Sequence, residues 1–230
     1  MDDSPSDALA KSILQEIAQL GETLAPDDPH LYSVADLEEC PRRRWLTIPV
    51  LIKKNYLARY HKQVFDSSNN KEWALKEVCS NMIHLILGGA VGGFLLSGRV
   101  WEIGPENVCV RTNVLGGFDW QGALHARVRV LDGDPYVDRI SNFYVLPKET
   151  DMADWLMLQC MQSLTPIMEE ISRLSNVPEH RCWQPLASLL TNYGKIAAHV
   201  YPKHEDTIQR RTQCLIESSI RLGLFARGVH

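Results

Sequence analysis

Over two short stretches of this 230-residue chain, basic side chains alternate with apolar ones. In NVCVRTNVL, Val108, Val110, Thr112 and Val114 fall on one side, and Cys109, Arg111 and Asn113 on the other. In GALHARVRVLDGD, Leu124, Ala126, Val128 and Val130 oppose His125, Arg127 and Arg129. Guanidinium groups gathered on one face offer planar, multi-point hydrogen bonds to anionic, oxygen-rich ligands. The same pattern also serves as the solvent side of a half-exposed sheet. A second basic pair, Arg210 and Arg211, runs into Thr212, Gln213 and Cys214. The densest basic run, Arg42, Arg43 and Arg44, follows Glu38 and Glu39 and reads as a solvated surface or their salt-bridge partner. His84, in apolar surroundings, reads as a hydrogen-bonded core histidine. No HExxH, GxSxG or paired Cys and His at metal spacing occurs, and no catalytic residue emerges.

The six cysteines (Cys40, Cys79, Cys109, Cys160, Cys182, Cys214) stand singly and read mostly as small core residues of a reducing compartment. A net charge of -4 and a pI near 6.1 argue against broad nucleic-acid binding. The acidic start, MDDSPSDALA, is unlike a signal peptide and predicts a cytoplasmic protein.

The elements that must position these residues are mostly helical. Ser6 or Asp7 caps an amphipathic helix ending near Gly21, followed by a proline-containing loop, and Ser33 with Asp36 restarts a helix. From Pro41 to about Phe65 the period is again helical, with Pro49 as a kink or the true start. The central stretch is Trp73 to Gly98, WALKEVCSNMIHLILGGAVGGFLLSG. Its first half puts Trp73, Val78, Met82, Leu85 and Ile86 on one side, and its second half is apolar all round. Its uninterrupted apolar part is shorter than a bilayer span, which predicts a buried helix and no membrane crossing. Gly88, Gly89, Gly92 and Gly93 clear one stripe for close packing. GGAVGG has no P-loop lysine and follows a helix where a nucleotide motif follows a strand, so nucleotide binding is rejected.

After Gly98 the period becomes 2, and the two alternating runs, joined through Gly116 and Gly117, suggest an antiparallel ribbon with one oily and one basic face. Asp132, Gly133, Asp134 and Pro135 form a turn, and SNFYVLP adds a further strand. A long helix capped by Thr150 or Asp151 carries Pro166 as a kink. VPEH breaks it, a helix runs from Cys182 to about His199, and a last one from Asp206 to Leu224. The class is α+β, mostly helical, with a small antiparallel ribbon or sheet between the N-terminal and C-terminal helices.

This order of features resembles the FhuF-like family of ferric-siderophore reductases, which is related to the C-terminal region of IucA/IucC-type siderophore synthetases. The likeness rests on the Trp73-led helix, the strand pair around Gly116 to Val130, the helix with LTPIMEEIS (Leu164 to Ser172), the following Trp183, and the Arg210–Arg211–Thr212 tail. It implies a single domain over 1–230, divided as 1–32 N-terminal helix and loop, 33–98 helical, 99–147 β-rich and 148–230 helical. In the family the tail continues as Cys-Cys and a later Cys-x-x-Cys that together hold a [2Fe-2S] cluster. Here Gln213 stands at the first position, Cys214 is the only matching ligand, and the distal pair is absent. Four protein ligands are needed, so no cofactor is expected and a [2Fe-2S] cluster is improbable. The resemblance thus implies a protein that binds a siderophore, a precursor or a ferric siderophore, in biosynthesis or iron release. The alternatives are a reductase using a bridged cluster or another electron donor, and a non-catalytic partner of a siderophore synthetase. The ligand-binding residues expected on this basis are Arg111, His125, Arg127, Arg129, Arg210 and Arg211.

Overall fold

The computed structural model describes residues 12, 15, 34–36, 45–112, 116–125, 127–135, 137 and 144–224. Residues 12 and 15 are helical; the rest of the helix expected near Ser6 to Gly21, and the Arg42–Arg44 run, lie outside them.

The chain is a mostly helical α+β fold. In order it runs β1 (Val34–Asp36), β2 (Trp45–Thr47), α1 (Ile48–Lys53), α2 (Tyr56–Ser67), α3 (Lys71–Ser97), β3 (Arg99–Trp101), β4 (Val108–Thr112), β5 (Phe118–Ala123), β6 (Val128–Leu131), β7 (Tyr144–Leu146), α4 (Glu149–Ser175), α5 (Glu179–Trp183), α6 (Pro185–Val200) and α7 (Glu205–Arg221). A 3-10 turn at Pro202–His204 joins the last two helices.

The core is built around α3. Asn70 Oδ1 accepts from the amides of Glu72 and Trp73, both at 3.0 Å, and caps the helix. Gly98, at φ 72°, ends it in the left-handed region. Between these caps α3 is buried on nearly every side, against α4, α6 and α7. By length and composition it could cross a membrane, and 83% of its apolar window is packed inside the protein, the placement of a core helix. Trp73 departs from the expected stripe, being 52% exposed. It lies in the first turn, where Ala74 and Leu75 make the inward contacts. Across α3, His84 Nδ1 and Tyr193 Oη of α6 lie 2.5 Å apart, which satisfies two polar groups in apolar surroundings.

Several expected elements are corrected. Residues 34–36 form a strand, not a helix, and pair in parallel with β5. The helix expected from Pro41 is a strand at Trp45–Thr47, paired antiparallel with β4, and helix begins only at Ile48. Pro49 marks that start, where its missing N–H is needed by no helical bond. Asn55, at φ 58°, then separates α1 from α2. Pro185 similarly splits the helix expected from Cys182, and α4 begins at Glu149, ahead of the expected caps. Pro166 lies within α4 and does not end it.

The strands form two sheets, ordered β1-β5-β4-β2 and β3-β6-β7. The expected hairpin through Gly116 and Gly117 exists, but β4 pairs with Phe118–Ala123 and not with the run carrying Arg127 and Arg129. That run is β6, antiparallel to β3 in the second sheet. The alternating pattern was real, but its partner was not the next alternating run. Cys109, expected on the polar side, is buried between β2 and β5, and burial pushes its thiol up to about 12. In the second sheet, Arg99 Nε donates to Asp134 Oδ2 at 2.7 Å, an almost fully buried pair that pins the Gly133 turn, where φ is 83°.

Candidate functional site

The six residues read from the sequence as ligand-binding occupy three separate places. Arg111 is on β4 of the first sheet, half-buried, its guanidinium 5.9 Å from the Trp45 ring centre. Arg129 is on β6 of the second sheet and stacks 4.3 Å over Trp155 of α4. Arg127 is exposed and ion-paired with Glu102 at 3.3 Å. His125 is exposed too, in the turn between β5 and β6, where its backbone N–H donates to Asn107 Oδ1 at 2.8 Å. The expected single basic face therefore does not form: its members belong to different sheets, and Arg111 and Arg129 lie over indoles.

Arg210 and Arg211 are brought together, on one carboxylate. Arg210 Nε donates to Glu149 Oε2 at 2.7 Å and Arg211 Nε to Glu149 Oε1 at 2.8 Å. Arg211 Nη1 also donates to the carbonyls of Phe94 and Leu95, at 3.0 and 3.1 Å. This ties the C-terminus of α3 and the N-terminus of α4 to α7. Hydrogen bonds from Arg210, and then from Arg211, hold the Glu149 carboxyl below its ordinary range despite partial burial. A lowered carboxyl pKa contributes stability that is complete above the unfolded value and lost as pH falls through the folded one. The stability gap between the parent and Glu149→Gln is therefore expected to be full near neutrality and to shrink on acidification below the usual glutamate range. Urea unfolding over a pH series checks it. A gap constant down to strong acid would show that Glu149 does not carry that linkage.

Cys214, one residue beyond Gln213, is half-buried, and its thiol is raised first by burial and then by Glu149 and Glu217. On the same helix Ile208 and Leu215 are buried and Ile220 is 61% exposed. Among the described residues no three His, Cys, Asp or Glu side chains are grouped to hold a metal ion. The donors around Cys214 do not fit a [2Fe-2S] cluster, which needs four.

His61 Nε2 lies 2.7 Å from Ser175 Oγ with Glu170 nearby, which has the outline of a nucleophile, base and acid. Two features disqualify it. Glu170 accepts from Arg173 Nε and Nη2, at 2.8 and 2.7 Å, and not from the imidazole. Ser175 ends α4, where a helix presents carbonyl oxygens and not the N–H donors an oxyanion requires.

The feature suited to a ligand is a cleft of about 520 Å³ between α6 and α7. Thr191, Gly194, Lys195, Ala198 and His199 line it from α6, and Glu205, Gln209, Thr212 and Gln213 from α7, with Pro202 in the connecting turn. The two helices meet closely because Gly194 has no side chain: a Cβ there would lie 2.3 Å from Thr212 Oγ1. Several of the polar groups are internally satisfied. Thr191 and Thr212 hydroxyls donate back to the Ala187 and Ile208 carbonyls, and Gln209 Nε2 donates to Glu205. The side chains of Lys195 and His199 make no hydrogen bond or ion pair with the described residues. The volume falls within the roughly 300–1,000 Å³ of small-molecule sites. Sequence reasoning passed over this cleft because its lining residues share no motif; Gly194, alone in an otherwise regular helix, was the available signal.

No protein-family model matches the chain, and neither does any curated protein or any solved structure.

Proposed function

We propose that this protein binds a siderophore-class ligand, an anionic, oxygen-rich chelator or its ferric complex, in the cleft between α6 and α7, without an iron-sulfur cluster. The observation that carries the reading is the cleft itself. It is of ligand size, is open to solvent, carries a cationic Lys195 and the His199 imidazole, and is bounded by Thr212 and Gln213. That tail segment is where the resemblance to FhuF-like proteins puts the redox centre. With only Cys214 left of the ligand set, the role supported is recognition, in assembly of the chelator or handling of its ferric form.

An ammonium facing an anionic ligand in an open cleft acts largely through Coulomb attraction, which salt screens. Titration of the purified protein with hydroxamate, carboxylate and catecholate chelators, each with and without ferric ion, is expected to give saturable binding to at least one class. Binding should weaken at high salt, and Lys195→Glu should weaken it about tenfold or more, the equivalent of about 1.4 kcal/mol. Arg127→Ala, remote from the cleft lining and paired with Glu102, should leave it unchanged. Saturable binding to none of the three classes would overturn the reading. Binding indifferent to Lys195→Glu would remove it from this cleft.

A further inference from the structure

The cleft between α6 and α7 holds two opposite charges that do not meet. Lys195 lines it from α6 and Glu205 from α7, yet no cation among the described residues comes within ion-pair distance of Glu205. The helices fold back on each other about the Pro202 turn with Gly194 against Thr212, so the residues of each helix nearest the turn face one another. Lys195, next to the Gly194 contact, therefore stands at the inner end of the cleft. Glu205 stands at the turn end, about two helical turns before Thr212 and ~10 Å from it along the axis. We infer, resting on the reading of this cleft as a chelator site, that its ligand is a zwitterion: a carboxylate chelator whose chain ends in a protonated amine, with the carboxylates at Lys195 and the ammonium at Glu205.

The two walls divide the work. Glu205 Oε1 accepts from Gln209 Nε2 at 2.7 Å, a bond that steadies the carboxylate along α7 and leaves Oε2 to accept from a ligand. Gln213 likewise engages its Nε2 with Glu217 Oε1, at 2.9 Å, so both glutamines keep their carbonyl oxygens as acceptors. The α7 wall thus offers acceptors, and the α6 wall offers the Lys195 ammonium, which only donates. His199 lines the cleft as well and forms no ion pair with Glu205. A ligand of one charge sign meets repulsion at one wall: a plain polycarboxylate is drawn by Lys195 and opposed by Glu205. An ammonium at the far end of the same molecule turns that opposition into a charge-assisted hydrogen bond. Acylating the amine makes it a neutral amide, so the cleft distinguishes such a chelator before that step from the same chelator after it.

The test titrates the full chain calorimetrically, at neutral pH, with the monoamide of citric acid and putrescine, with its N-acetylated form, and with the butylamine monoamide, which lacks the ammonium without added bulk. The putrescine monoamide is expected to bind about fivefold tighter than either neutral-ended probe, the size of a solvent-exposed charge pair. That preference should shrink at high salt. Glu205→Gln, which removes the charge and keeps an acceptor for Gln209, should make the probes bind alike, and Lys195→Glu should weaken them all. Equal binding of the probes by the unsubstituted protein, or a preference that survives Glu205→Gln, would overturn the zwitterion and leave the chelator reading in place. Binding of hydroxamate or catecholate chelators but of none of these probes would do the same. Failure of every chelator class, these included, would overturn both.

Discussion

Arg211→Ala is expected to destabilise the protein by about 3 kcal/mol, the lower end of what breaking a buried ion pair costs. Three losses coincide. The guanidinium is 11% exposed, and it serves a Glu149 carboxylate that is 19% exposed. It also caps α3, because Phe94 and Leu95 are among the last four residues of the helix, whose carbonyls have few or no acceptor roles left inside it. Finally it packs against Gly98 and lies 5.8 Å from the Phe94 ring centre, so its removal leaves space as well as unpaired groups. The estimate stays at the low end because Arg210 still donates to Glu149, at 2.7 and 3.1 Å. Arg211→Lys keeps the charge but cannot reach a carboxylate and two carbonyls with one ammonium, and should recover about half the loss. Arg210→Ala should cost about 1 kcal/mol or less, since that side chain is 58% exposed. Urea unfolding of the three variants measures the series. Equal, small losses for Arg210→Ala and Arg211→Ala would show that the α3 terminus does not depend on Arg211.

The contrast between these neighbours marks what the sequence could convey. Helix periodicity made α3, α4, α6 and α7 legible to within a few residues, because each buries a continuous stripe and the spacing of that stripe is local information. Period 2 made β4 and β6 legible as strands for the same reason. Pairing is not local. Nothing in NVCVRTNVL states that its partner is FDWQGA, an irregular six-residue run, and not the better-patterned LHARVRV. That error assembled one basic face from arginines that the fold sends to two sheets. Strands of three residues, such as β1 and β2, are too short for any period to register. The site was hidden for a related reason. Arg210 and Arg211 are adjacent and equally basic in sequence, yet one lies largely in solvent and the other is enclosed by two helix ends, a difference set by residues far away along the chain. Lys195 and His199 reach the same cleft as Gln209 and Gln213 only because α7 folds back along α6 after the Pro202 turn.

That return depends on Gly194, and Gly194→Val is expected to cost about 3 kcal/mol, at the upper end for overpacking a fixed interface. A Cβ at this position would meet Thr212 Oγ1 at 2.3 Å, Cγ2 at 2.7 Å and Cβ at 3.0 Å. Rotating the threonine relieves only the first two contacts and sacrifices the 2.7 Å hydrogen bond from its hydroxyl to the Ile208 carbonyl. The third lies between atoms fixed to the two backbones, so the helices themselves must separate. Alanine makes the competition visible, because the better helix former returns about 1 kcal/mol that glycine forgoes, against about 1–3 kcal/mol of overpacking. Gly194→Ala should therefore cost only about 1 kcal/mol net. Valine adds two methyl groups where one carbon already fails to fit, and returns less propensity. Combining Gly194→Ala with Thr212→Ala removes Oγ1 and Cγ2 and leaves the 3.0 Å contact, so the pair should be more stable than the sum of the single changes allows. A double-mutant cycle by urea unfolding reads this coupling directly. Strict additivity would mean that α6 and α7 do not touch at Gly194 and Thr212, and that the cleft they line is not held by this contact.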